Sequence, residues 1–157
     1  IDAFIPEKYI SNQAQRVDCY RKIAMIENDE DAYDVTDELI DRYGDVPRAV
    51  EGLIEVAKLR RIAQKMHLTE IIQSGDVMIF YPEKTDKKTM ERVSAVGGKF
   101  GKDMMLNIAT DKPNFRVNGT DKHGGALALL ADTLAAMQSV DKDSDKENMT
   151  EEGENNG

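Results

Sequence analysis

The sequence predicts an α+β fold, an N-terminal helical layer followed by a small, mainly antiparallel sheet with flanking helices. Three observations lead there. Apolar residues recur at helical spacing as far as His67, the period then drops to two, and strand patterns afterwards alternate with helical ones. Residues 1–138 read as one domain, and residues 139–157 as an acidic tail with no apolar pattern to repay the entropy of ordering, expected to be disordered.

Taken in order, Asp2 to Pro6 reads as an extended segment that stops at a proline. Ser11 or Asn12 can cap a helix from about Asn12 to Glu27, with Val17, Cys19, Tyr20, Ile23, Ala24 and Ile26 on one side and Met25 as the exception. Asn28-Asp29 breaks it. A second helix, Glu30 to Tyr43, has Ala32, Val35, Leu39, Ile40 and Tyr43 as its buried stripe, and Gly44 stands where a left-handed cap belongs. The third helix, about Pro47 to His67, has an apolar stripe that drifts from Val50, Leu53, Ile54 and Ala57 to Val56, Leu59, Ile62, Ala63 and Met66. A drifting stripe suits a helix that touches different elements at its two ends.

Thr69 to Gln73 and Asp76 to Tyr81 read as a hairpin around Ser74-Gly75. A charged helix follows from Asp86 to Val96, with Met90, Val93 and Val96 inward, and then strands at Lys102 to Thr110 and Asn114 to Asn118. The last helix, His123 to Gln138, turns Leu127, Leu130, Ala131, Leu134 and Met137 to the core.

Composition narrows the class. The 157 residues are 40% hydrophobic and 32% charged, without tryptophan, and no run of apolar residues is long enough for a transmembrane helix. A single cysteine, Cys19, excludes an internal disulfide and suits a reducing, cytoplasmic setting. The chain opens on Ile1 with no signal peptide, as expected of a piece of a longer protein. Of the net charge of −9, the tail carries −5, seven acids against two lysines from Asp141 on. The body is therefore a mildly acidic −4, a poor basis for holding nucleic acid.

Catalytic and cofactor motifs are absent. Gly97-Gly98-Lys99-Phe100-Gly101-Lys102 imitates a phosphate loop, but Val96 stands where its first glycine is needed and Asp103 where a Ser or Thr would hold magnesium. These glycines read better as a helix cap and turn. Two histidines, His67 and His123, and one cysteine supply no zinc set, and they read as a residue at a helix end and one at a helix start. Basic residues gather at Lys58, Arg60, Arg61 and Lys65 and at Lys84, Lys87, Lys88 and Arg92, without the interleaved aromatics that stack on bases. An accessory nucleic-acid-binding role for the Lys58–Lys65 stripe stays open as the alternative.

One surface asks for a partner. On a helical wheel of the second helix, Asp34, Asp37, Glu38 and Asp41 fall opposite the apolar stripe and make one ridge of carboxylates. Asp34 with Glu38, and Asp37 with Asp41, are like-charge pairs four apart, each costing about 0.2–0.5 kcal/mol in an isolated helix. The ridge is either a solvated face or a docking surface for a basic patch, where complementary charge sets orientation.

The run Glu38-Leu39-Ile40-Asp41-Arg42-Tyr43-Gly44-Asp45-Val46-Pro47 resembles the signature of the C-terminal domain of bacterial transcription-repair coupling factors (Mfd). Ile5-Pro6-Glu7-Lys8-Tyr9-Ile10 is similar to the segment that leads into that domain. Arg16, Tyr20, Arg21 and Lys22 resemble its first helix, and Leu59-Arg60 with Ala63 its third, so the likeness covers roughly residues 2–110. It implies a non-catalytic regulatory domain without cofactor, in a parent that is an ATP- and magnesium-dependent double-stranded DNA translocase of transcription-coupled excision repair. It further implies docking on the UvrB-like module of the same chain, which masks the surface needed by UvrA until RNA polymerase or DNA is engaged. The contact falls to Glu38 and Asp41, with Asp34 and Asp37 beside them on the ridge.

Overall fold

Asn12 caps the first helix, α1 (Gln13–Ala24), by accepting a hydrogen bond from the Gln15 amide. Asn28 does the same for α2 (Asp29–Tyr43) through the Asp31 amide, and α3 (Arg48–Lys65) begins directly after Pro47. The sheet strands are β1 (Leu68–Ser74), β2 (Val77–Pro82), β3 (Met104–Asn107) and β4 (Asn114–Asn118). Between β2 and β3 lies α4 (Lys87–Phe100), capped by Asp86, and α5 (Ala126–Asn155) ends the chain. The computed structural model describes residues 3–155.

All strand pairs are antiparallel, in the order β1-β2-β4-β3. The α+β architecture expected from the change of period is the one found. The single domain expected over residues 1–138 is organised as two compact units, Ile1–Ile62 and Ala63–Gly157, with the division inside α3.

In the first unit, Cys19, Ile23 and Ile26 meet Ala32 and Leu39 of α2 and Val50 and Ile54 of α3, with Ile5 and Ile10 closing the core. The segment before α1 is tied down along its length: the Phe4 amide donates to Ala49 O, and the Ile5 amide to the Tyr20 hydroxyl. The α1 stripe is narrower than its spacing suggests. Val17, Tyr20 and Ala24 are exposed, because α2 and α3 cover only the Cys19–Ile23 line; Met25 is exposed as expected. The helix also ends at Ala24, short of the expected Glu27, because the Met25 amide closes on Arg21 O and Lys22 O and the chain then turns into the Asn28 cap.

In the second unit, Met78, Phe80, Phe115 and Val117 form the inner face of the sheet, and Phe80 stacks on Phe115 with centroids 4.8 Å apart. Gly97 of α4 faces the Met104 side chain of β3, whose sulfur lies at ordinary contact distance, 3.9 Å from where a Cβ would stand. Helix α4 continues through Gly97 and Gly98 to bury Phe100, four residues beyond the expected end. A single 3-10 turn, Gly101–Asp103, leaves β3 shorter than expected. The hairpin loop is Gly75-Asp76, one residue on from Ser74-Gly75, since Gly75 supplies the φ of +59° at the first loop position.

The final helix departs most from expectation. Its buried line is Leu129, Thr133, Leu134 and Met137, while Leu127, Leu130 and Ala131 are half-buried. Thr133 can be fully buried because its hydroxyl donates to Leu129 O at 2.7 Å, within the helix. Instead of stopping near Gln138 before an unordered tail, α5 runs to Asn155. Asp141, just past that point, takes two 3.0 Å hydrogen bonds from Arg92, which is only 8% exposed. A nearly buried guanidinium thus holds the first turn of the acidic segment in helical register.

Candidate functional site

The signature around α2 is first of all a device for building the first unit. Leu39 is buried in the core and Tyr43 packs edge-on to Tyr9, centroids 5.8 Å apart. The Tyr9 hydroxyl donates to Gly44 O at 2.9 Å and reaches Leu39 O at 3.2 Å, so the segment before α1 is fastened to the end of α2. Burial pushes the Tyr9 phenol up, which keeps this donor protonated. Arg42 lies over the Tyr43 ring at 5.0 Å. Gly44 has a positive φ as expected, but with φ +84° and ψ −162° it sits outside the left-handed helical region, in a conformation open in practice only to glycine.

The four carboxylates fall into two kinds. Glu38 is half-buried, and its Oε1 accepts from Lys22 Nζ at 2.6 Å and from Arg42 at 3.4 Å. The hydrogen bond from Lys22 holds its carboxyl below the ordinary 4.5, with the Lys22 charge and Arg42 adding to it. Lys22 also lies 3.5 Å from Asp18, so Glu38 joins α2 to α1 through a small charged network. Asp34, Asp37 and Asp41 are exposed and have no ion pair among the described residues. The expected ridge is thus three open carboxylates with Glu38 at its edge.

Two apolar side chains flank the ridge. Tyr33 is 70% exposed and Ile40 is 45% exposed, one helical face along from Asp37. Ile40 was expected in the buried stripe. It lies at the stripe's far margin, and Leu39 and Tyr43 already fill the interior there.

The other candidate residues are accounted for by structure. Lys58 bridges Asp29 at 3.0 Å and Glu55 at 3.5 Å, and Arg61 donates to Ile26 O at 3.0 Å and Ala24 O at 3.4 Å. Half of the Lys58–Lys65 stripe is therefore spent inside the first unit, leaving Arg60 and Lys65 exposed. Cys19 is buried and its thiol is pushed up by burial, against the pull of Lys22, so it is a packing residue with no thiolate to offer.

His67 lies just past α3 with a φ of +58°, and its carbonyl accepts from the Glu83 amide at 2.8 Å. His123, expected at a helix start, sits in the turn before α5, where its Nε2 is 3.0 Å from Asp103. No group of three metal-ligating side chains occurs among the described residues. No helix among them is long and apolar enough to cross a membrane.

Fold and surface together define an α+β domain whose most distinctive outward feature is an acidic helix face. The chain belongs to the TRCF domain family, whose model matches residues 1–93. It is similar to the transcription-repair-coupling factor of Bacillus subtilis, 26% identical over 152 residues that make up 96% of this chain and 13% of that protein. Likeness to the transcription-repair-coupling factor of Staphylococcus epidermidis is 25% over 147 residues, 92% of this chain and 12% of the relative. In Staphylococcus haemolyticus the corresponding factor is 36% identical over 75 residues, 48% of this chain and 6% of that protein. The chain spans about an eighth of the length of the relatives it covers most fully. The solved C-terminal domain of a transcription-repair coupling factor has the same fold, with a TM-score of 0.63 at 21% identity over 88% of this chain and 90% of that one.

Proposed function

We propose that this chain is the non-catalytic regulatory domain of a transcription-repair coupling factor and that it works by docking through the outer face of α2. The observation that carries this is the division of the ridge. Asp34, Asp37 and Asp41 stand exposed with no cation paired to them among the described residues, while Glu38 is locked to Lys22 and Arg42 behind them. Three like charges on one helix face cost stability in the free domain and gain it against a basic partner. Tyr33 and Ile40 beside them give such a partner apolar area to cover.

The family resemblance supports the UvrB-like module of the same, longer protein as the partner, with docking occluding the surface that UvrA requires. RNA polymerase and DNA act on the parent and its ATP-driven motor, and their engagement releases the domain. An interface made largely of exposed charge pairs suits release, because each is individually worth about 0–1 kcal/mol and weakens in salt. The alternative, nucleic-acid binding by the Lys58–Lys65 stripe, loses support from the internal ties of Lys58 and Arg61.

Calorimetric titration of this chain against the separately expressed UvrB-like module, at low and moderate salt, tests the proposal. Salt-sensitive binding that Asp37→Ala/Asp41→Ala abolishes is the expected result. Binding that this pair of substitutions leaves unchanged would place the interface on another face.

A further inference from the structure

We propose that the open face of the sheet is a second docking surface, for an apolar protein segment that carries a carboxylate. The register puts Ile72, Ile79, Arg116 and Met105 in one row across all four strands. Residues paired across antiparallel strands point to the same face, and the neighbouring row through Phe80 and Phe115 is the buried one. The Ile72 row therefore lies on the outer face. Met105 is 57% exposed there, Ile72 is exposed, and Ile79 and Arg116 are half-buried. Val77 and Tyr81, also half-buried, extend the apolar area along β2.

Charge selects the occupant. Lys112 is paired with Glu70 and lies over the Tyr81 ring at 4.1 Å, so those two charges cancel locally. The Arg116 side chain has no ion pair or hydrogen bond among the described residues. A guanidinium without a counter-charge, set between Ile79 and Met105, is matched by a carboxylate that arrives with aliphatic neighbours, since a bidentate pair gains strength where water is excluded. The row is about 14 Å wide at the usual strand spacing. A single amphipathic helix, about 10 Å across, can lay one Glu on Arg116 and aliphatic residues at i−4 and i+3 on the apolar positions.

Two other occupants fit less well. A single-stranded nucleic acid needs several open ring faces, and the one on β2, Tyr81, is covered by Lys112. Two copies of a chain of net charge −9 would repel one another on face-to-face approach.

The test is a backbone-amide NMR titration of the whole chain. The probes are an amphipathic helical peptide bearing one Glu among Leu and Ile, its Glu→Gln and Glu→Lys forms, and an oligothymidine. The expected shifts are confined to residues 70–82, 104–107 and 114–118, with the Glu peptide bound about tenfold or more tightly than the Gln peptide. Arg116→Gln should erase that preference and Arg116→Glu should transfer it to the Lys peptide. The Glu-to-Gln comparison on the unaltered chain decides the matter even if a variant fails to fold. No preference for Glu, shifts elsewhere, the same shifts with oligothymidine, or concentration-dependent shifts without peptide would each overturn the proposal.

Discussion

Glu38 and Asp41 stand three residues apart in one signature, yet their surroundings give them different work. Removing Glu38 releases Lys22 and Arg42 and loosens the joint between α1 and α2. Because the Glu38 side chain keeps 41% of its surface in water, Glu38→Ala should cost no more than about 1 kcal/mol, read by urea denaturation. Asp41→Ala should leave stability unchanged or raise it by about 0.2–0.5 kcal/mol, as the repulsion from Asp37 goes, while weakening docking.

The pH dependence follows from the same geometry. Lys22 holds the folded Glu38 carboxyl below 4.5, so its stabilising contribution is complete above 4.5 and is lost as pH falls through the lower, folded value. Asp103, held down by hydrogen bonds from Lys122 and His123, behaves alike around its ordinary 3.8. Glu38→Gln should therefore narrow the stability difference between pH 6 and pH 3, measured by denaturation at the two values. A helical wheel showed these four acids as equals. It could not show that Lys22, sixteen positions earlier, had already claimed one of them.

At the scale of the element, the break between α2 and α3 was legible because glycine and proline act through local backbone chemistry. Gly44 has nothing within 4 Å of a built Cβ, so a side chain there meets no clash, only a forbidden dihedral region. Gly44→Ala should still cost about 1–3 kcal/mol of stability, measured by chemical denaturation. The ends of α1 and α4 were not legible; in α5 Leu134 and Met137 were read as buried, but Leu129 and Thr133 were not. Phe100 extends α4 because its ring is buried edge-on to His123, and Thr133 is admitted to the core by its bond to Leu129 O. Neither fact belongs to the periodicity of its own helix.

Across the whole molecule, the change of period from helical to strand spacing was enough to give the α+β class and the antiparallel sheet, since both follow from which faces must be buried. Arg92 shows what such patterns miss. A nearly buried arginine reads as surface charge until its partner, Asp141, is found 49 positions away. Asp141→Asn should destabilise the second unit by about 1–3 kcal/mol, the usual cost of losing hydrogen bonds to a charged group. Amide exchange in α4 and the first half of α5 would rise, while exchange in α1 and α2 would not.

Hydrogen–deuterium exchange of the chain with and without the UvrB-like module decides whether the outer face of α2 is the docking surface. The expected result is added protection over residues 33–41 that fades at higher salt and is missing in Asp37→Ala/Asp41→Ala. Binding that protects other segments and leaves α2 unchanged would contradict it.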